Sequence, residues 1–362
     1  MSLDKKNSVR TILVLTSVLF LAPVSAEALV LPEDSSVFDR EAAVSLLEIC
    51  TGHEKKRTAA VFEKNGISVI GQKNYSKPSE QIDHTSAYTI GRGKIKRGAK
   101  TEDAWMVAVR GTEGSEWFSN FDFCPSADDG SHFVGGFLSS AEDVLIDLVK
   151  IINEKNPLIV IAGHSRGGAV ANILAVLLNQ IYDPEKIYAY TFASPMTIRN
   201  LEGVEDRNIF NVINPCDIVP KLPYAAWGFK RPGTDIILDD ESEKINAAEM
   251  SRAVSEIFSV CPDAQSYYNA RHSLEQRGLS GTGLTMYEIM TSLATKLSKL
   301  TSTNLELDMK DFQIPSYAID SDFSTLIYYL SWLFKNNGEG FSCLLNEHLP
   351  GTYAKKIEKM KR

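Results

Sequence analysis

Leu158-Ile159-Val160-Ile161-Ala162-Gly163-His164-Ser165-Arg166-Gly167-Gly168-Ala169-Val170 is the stretch whose reading decides the fold. Five apolar residues predict a buried strand, the glycines around Ser165 a sharp turn, and the Ala- and Leu-rich run towards Tyr182 a helix. A serine at such a turn sits on a strained backbone that lifts its hydroxyl clear of the sheet edge, with helix N-terminal amides aimed at whatever it attacks. Glycines at 163 and 167 let neighbouring backbone pass close to that turn. The stretch therefore reads as a nucleophile elbow. A phosphate-binding turn is the competing reading, but it requires Lys-Ser or Lys-Thr after its last glycine, and Gly168 is followed by Ala169-Val170.

Working outward, the strands on either side of the elbow repeat the pattern. Ala104 to Val109 is apolar on both faces, as a central strand covered by helices should be, and it ends at Arg110-Gly111-Thr112. Ile187 to Ala193 stops at Ser194-Pro195, and Ile209 to Ile213 opens into Asn214-Pro215-Cys216-Asp217. Between them run helical patterns at Gly135 to Asn153 and after the elbow; a further one at Val37 to Cys50 and a short one at Ala59 to Lys64 lie ahead of the sheet. Ile67 to Ile70 and Thr85 to Ile90 read as additional strands, the second broken by a lysine- and glycine-rich turn from Gly91 to Lys100. Strand and helix in alternation predict an α/β protein with a mostly parallel sheet flanked by helices, the α/β-hydrolase arrangement. Such a sheet places ligands beyond the C-terminal ends of its strands.

From residue 239 to about 340 the character changes. Helical periodicity recurs near Glu243 to Val260, Leu284 to Leu300 and Phe323 to Phe334, with little strand pattern between. This predicts a mostly helical insertion or cap, with plain packing helices preferred over a substrate-gripping cap. The expected organisation is a signal peptide at 1–26, an α/β core at 27–238, the insertion at 239–340 and a C-terminal return to the core at 341–362. The basic tail from Lys355 to Arg362 reads as a solvated helix end.

Composition bounds the function. Hydrophobic residues at 44% and charged residues at 23% of 362 describe a globular chain. Lys5, Lys6 and Arg10 precede an apolar run from Thr11 to Ala22 and small residues up to Ala26, the pattern of a cleaved secretory signal, and the run is too short for a membrane anchor. Cleavage would remove three basic side chains and one acidic one, moving the formal charge from −8 to −10. An acidic mature chain repels nucleic acid and anionic lipid, so a transient contact with a lipid interface would rest on apolar burial. The expected location is outside the cell or in a periplasm, with no transmembrane anchor left. Cys50, Cys124, Cys216, Cys261 and Cys343 have no metal-site spacing and read as mostly unpaired, buried thiols. No metal cluster, dinucleotide fingerprint or phosphate loop stands in the sequence, which predicts catalysis without a cofactor or metal.

A serine hydroxyl needs a histidine to take its proton, and the histidine needs an acid to orient it. The chain order in this arrangement is serine, acid, histidine. Asp217 follows a strand end, and only His272 and His348 come after it. His348 lies in a loop where the core resumes, whereas His272 falls inside the helical insertion, so His348 is preferred. His164 reads as structural, and His53, His84 and His132 precede the elbow. The oxyanion should meet the backbone amide of Arg166 and a second donor at Thr112, each worth ~3 kcal/mol of transition-state stabilisation. Residues 113–123 carry Trp117, Phe118 and Phe121 and read equally as a surface loop or as a small lid that opens on an apolar surface.

Together Val109-Arg110-Gly111-Thr112, Trp117 with Asn120, Gly136-Phe137, the elbow from Gly163 to Ala169, Thr191-Phe192-Ala193-Ser194-Pro195, Asn214 with Asp217-Ile218-Val219-Pro220, and His348 with Tyr353 resemble the class 3 lipases. The resemblance covers about residues 40 to 238 and the segment around His348. It implies a Ser165, Asp217 and His348 triad, an oxyanion hole at Thr112 and Arg166, a lid near 113 to 123, and a lipid or small ester as substrate. The chain departs from the family in carrying Arg166 after the serine, which would bring a charge near the site, and in the long interval from Asp217 to His348. The reading is a secreted lipase or carboxylesterase working through an acyl-enzyme; phospholipase A1 or acyltransferase chemistry on the same triad, and a non-catalytic secreted binding protein, are the alternatives.

Overall fold

The computed structural model describes residues 29–52, 54–75, 85–111, 133–239, 246–248, 251 and 346–360. In chain order its main elements are β1 (Val30–Leu31), α1 (Arg40–Cys50), α2 (Lys55–Lys64), β2 (Ile67–Lys73), β3 (Tyr88–Arg97), β4 (Lys100–Val109), α3 (Gly135–Ile151), β5 (Leu158–His164), α4 (Arg166–Asn179), β6 (Ile187–Phe192), β7 (Ile209–Ile213), β8 (Thr234–Ile237) and α5 (Pro350–Lys359). The signal-like segment 1–26, Thr112, the lid-like stretch 113–123, His272, Cys124, Cys261, Cys343 and nearly all of the 239–340 helical region lie outside the described residues.

The eight strands form one sheet in the order β1-β3-β4-β5-β6-β7-β8, with β2 paired on β3. From β4 to β8 every neighbour is parallel; β3 runs antiparallel to both β2 and β4. This is the mostly parallel, helix-flanked sheet of the α/β-hydrolase fold. The alternation of side chains places Val107, Val109, Ile159 and Ile161 in one core with α3 and α4, and Met106, Ala108, Val160 and Ala162 in the other with α1 and α5. Period-two alternation with both faces buried is why these strands are apolar throughout. Phe137 and Leu148 of α3 are fully buried, each worth about 1.5–3 kcal/mol.

Three sequence expectations shift. The turn expected from Gly91 to Lys100 is strand: β3 continues to Arg97, and only Gly98 and Ala99 connect it to β4. Gly91 and Gly93 serve close packing there, because a Cβ on Gly91 would come within 2.7 Å of Phe62 and Ile67 side chains, and one on Gly93 within 2.4 Å of the Gly66 carbonyl. The first helix begins at Arg40 instead of Val37, since Asp39 caps it by accepting from the Ala42 amide at 2.7 Å. The C-terminal helix is not a solvated end: Tyr353, Lys356 and Ile357 are buried, and α5 packs on α1.

The strand register sets the functional edge. Val109, Gly163, Thr191 and Asn211 stand side by side across β4, β5, β6 and β7. The residues that follow each of them, Arg110-Gly111, His164-Ser165, Phe192-Ala193 and Asn214, therefore cluster at one rim of the sheet. Among the described residues no helix is long and apolar enough to cross a membrane.

Candidate active site

Ser165 occupies the single-residue hinge between β5 and α4, with φ 57° and ψ −128°. Positive φ in a residue with a Cβ costs about 1–3 kcal/mol and persists only where the surroundings enforce it. The enforcement is visible. The Ser165 amide donates to the Phe192 carbonyl at 2.8 Å, tying the turn to β6. A Cβ on Gly163 would lie 2.0 Å from the Gly167 carbonyl oxygen, and one on Gly167 would lie 2.2 Å from that of Val109. The strand-to-helix reversal is thus tighter than any other residue at 163 or 167 allows.

At this rim the fold brings together residues 183 positions apart. Ser165 Oγ lies 2.9 Å from His348 Nε2, and His348 Nδ1 lies 2.8 Å from Asp217 Oδ2. A carboxylate only accepts, so Nδ1 carries the hydrogen and Nε2 is left to accept from the serine hydroxyl. Ser165 is 7% exposed and Asp217 is fully buried. The acid does not lack donors: Oδ1 accepts from the Val219 amide at 2.9 Å, and Oδ2 also accepts from Tyr353 OH at 2.9 Å. Burial, with the Asp217 charge beside it, pushes the Tyr353 phenol well above its ordinary value, so it stays protonated and donates.

His164 takes the structural place expected of it. Its Nε2 donates to the His348 carbonyl at 3.0 Å, and its ring lies 5.0 Å from the His348 ring. The residue just before Ser165 thereby holds the backbone at His348, which lies in a helical turn over 346–348 and not in the loop expected from sequence. Arg166 opens α4, whose first-turn amides have no partner within the helix. Its guanidinium is buried. The residue is 1% exposed; Nε donates to Ser86 Oγ at 3.1 Å, and Nη2 to the Gly136 carbonyl at 3.1 Å and Ser140 Oγ at 3.0 Å. The charge sits 5.6 Å over the Phe137 ring. Gly111 passes Ser165 closely: a Cβ built on it would be 3.5 Å from Ser165 Cβ. Thr112, Trp117, Phe118 and Phe121 fall outside the described residues.

The sequence reading passed over a second layer. Asn214, Glu347 and Lys356 join in hydrogen bonds behind Asp217 and His348. The signal for Lys356 was present in the spacing: Tyr353, Lys356 and Ile357 fall at i, i+3 and i+4, one face of a helix. Cys216, next to Asp217, and Cys50 are buried. Among the described residues no group of His, Cys, Asp and Glu could hold a metal ion.

Residues 106–227 match the family described as lipase (class 3). The secreted mono- and diacylglycerol lipase 1 of Fusarium solani is 30% identical over 147 residues, which cover 37% of this chain and 44% of that protein. A lipase of Rhizomucor miehei is 26% identical over 163 residues, covering 41% and 45%. The chain therefore spans less than half the length of these curated relatives. The solved propeptide complex of Rhizomucor miehei lipase overlays with a TM-score of 0.44 at 18% identity, covering 57% of this chain and 71% of that one. Residues 106–227, which include the Ser165 elbow and Asp217, are thus similar to the class 3 lipase family.

Proposed function

We propose that this protein is a secreted serine hydrolase that cleaves carboxylic esters of lipids through an acyl-enzyme, with Ser165 as nucleophile, His348 as base and acid, and Asp217 as its orienting carboxylate. The observation that carries this is the continuous hydrogen-bonded path from Ser165 Oγ through both ring nitrogens of His348 to Asp217 Oδ2. A hydroxyl at a strained turn, a neutral imidazole in accepting tautomer and a buried acid have this chemistry in common.

As Ser165 Oγ attacks the ester carbonyl, its proton passes to His348 Nε2, and the imidazolium is stabilised by Asp217, whose charge is held by Val219 and Tyr353. The oxyanion is met by the Arg166 amide, with Thr112 as second donor. His348 returns the proton to the departing alcohol, leaving the acyl group on Ser165. A water then repeats the sequence, with His348 taking its proton, and releases the fatty acid. Residues 117, 118 and 121 act as an apolar lid, and residues 1–26 as the secretory signal. The acylglycerol lipases among the relatives support a lipid ester over a water-soluble one.

The test is hydrolysis of a short-chain and a long-chain p-nitrophenyl ester by the mature chain beside Ser165→Ala. Wild type is expected to cleave both, and the variant to fall by about 10⁶-fold in kcat. Full activity in Ser165→Ala would overturn the assignment. A jump in rate as the substrate passes its solubility limit separates a lipase from an esterase.

A further inference from the structure

Lys356 is 9% exposed, an uncommon place for an ammonium. It donates to Asn214 Oδ1 at 2.8 Å and to Glu347 Oε2 at 3.0 Å. Asn214, fully buried at the end of β7, closes the ring: its Nδ2 donates to Glu347 Oε2 at 2.7 Å and to the Glu347 carbonyl at 2.8 Å. Two corners of the ring, Asn214 and Glu347, are attached to the reacting residues. The Asp217 amide donates to the Asn214 carbonyl at 3.0 Å, and Glu347 immediately precedes His348. The end of β7 and the C-terminal segment that carries Glu347 and α5, with Asn214 and Glu347 133 positions apart, thus meet at one ion pair.

Burying such a pair costs several kcal/mol per ion in desolvation, recovered only with good geometry and further hydrogen bonds; apolar residues of similar volume often stabilise a core equally well. The ring therefore gains little as a source of stability, and its location suggests another use. We propose that Lys356, Glu347 and Asn214 form a positioning clamp that fixes the spacing of Asp217 and His348, Lys356 also neutralising the carboxylate of the residue that precedes His348. The inference rests on the reading of Ser165, His348 and Asp217 as a triad.

The charge balance around His348 gives the clamp a signature. Asp217 and Ser165 touch the ring, His164 flanks it and Tyr353 shares Asp217 with it. Behind the acid, the charges of Lys221 and Arg231 act on Asp217 and Tyr353. With Lys356 gone, Glu347 would add an uncompensated negative charge on the residue that precedes His348 and favour the imidazolium. The acid limb of the rate profile would then move to higher pH. Removing both charges together would return the limb while leaving the spacing unclamped.

The experiment follows the rate at which a fluorophosphonate labels Ser165 in the mature chain between pH 5 and 9. Lys356→Met is expected to label about tenfold more slowly, with its acid limb raised by about half a unit or more. Glu347→Gln/Lys356→Met is expected to be slowed similarly with the acid limb at the wild-type position. A double variant that labels at the wild-type rate overturns the clamp, as does a Lys356→Met limb that does not move. If Lys356→Met fails to fold, the double variant, which leaves no buried charge unpaired, decides alone. An unlabelled wild type would instead overturn the triad reading itself.

Discussion

Replacing Tyr353 by Phe removes one oxygen from a fully buried side chain and leaves its ring volume in place. That oxygen makes two bonds: it donates to Asp217 Oδ2 at 2.9 Å and accepts from the Asn214 amide at 3.2 Å. A hydrogen bond to a charged group is worth about 1.5–3 kcal/mol, and a buried amide left without an acceptor costs about 1–3 kcal/mol. The two losses share one site and are not additive, so Tyr353→Phe should cost about 2–4 kcal/mol of unfolding free energy. Asp217 would keep Val219 and His348 as donors but lose the one that holds Oδ2 from behind. Turnover of a p-nitrophenyl ester should fall about tenfold in kcat with KM little changed, because the loss concerns orientation of the base and not the fit of the acyl chain. Urea unfolding followed by fluorescence and steady-state hydrolysis on the same preparation test both halves. A variant within about 0.5 kcal/mol of wild type and fully active would show that the phenol neither supports the acid nor satisfies Asn214.

Gly167→Ala should destabilise by at least about 2 kcal/mol and abolish hydrolysis, because its Cβ would sit 2.2 Å from the Val109 carbonyl and push α4 off the sheet; thermal unfolding beside ester hydrolysis measures it, and wild-type behaviour would contradict the close approach at the elbow. A pH effect is expected at Glu102, whose carboxyl is held below its ordinary 4.5 mainly by the hydrogen bond from Lys186 at 2.6 Å. A depressed folded value stabilises the native state above pH 4.5, and this contribution fades as pH falls through the folded value. Glu102→Gln should therefore lower stability at pH 7 by about 1 kcal/mol or less, as befits a part-exposed pair, and match wild type near pH 2. Urea midpoints at the two pH values decide it; an equal gap at both would exclude ionisation as its origin.

Much of this protein was readable locally. The β5–elbow–α4 unit declares itself because its demands are short-range: an apolar run, two glycines that backbone contacts at 2.0 and 2.2 Å make obligatory, and a helix pattern behind them. The apolar strands β4, β6 and β7 announce a sheet covered on both faces, and chain order, with the strand end before Asp217 and the return to the core around His348, nominates Asp217 and His348 once the serine is proposed. The glycines of β3 misled because the sequence shows only their conformational freedom, whereas Gly91 and Gly93 are small to admit Phe62 and the Gly66 backbone from distant turns of chain. The same limit applies to charge. Arg166 and Lys356 look like surface residues in a string of letters, and their partners, Ser86, Gly136 and Ser140 for one, Asn214 and Glu347 for the other, become neighbours only on folding. By itself the sequence determined most of the elements and nominated the candidate reacting residues, since periodicity, turn chemistry and order along the chain are local properties. The tertiary structure alone decided the 2.9 and 2.8 Å contacts that join Ser165, His348 and Asp217, and the buried polar clamp behind them, because those depend on strand register and on α5 returning to the end of β7.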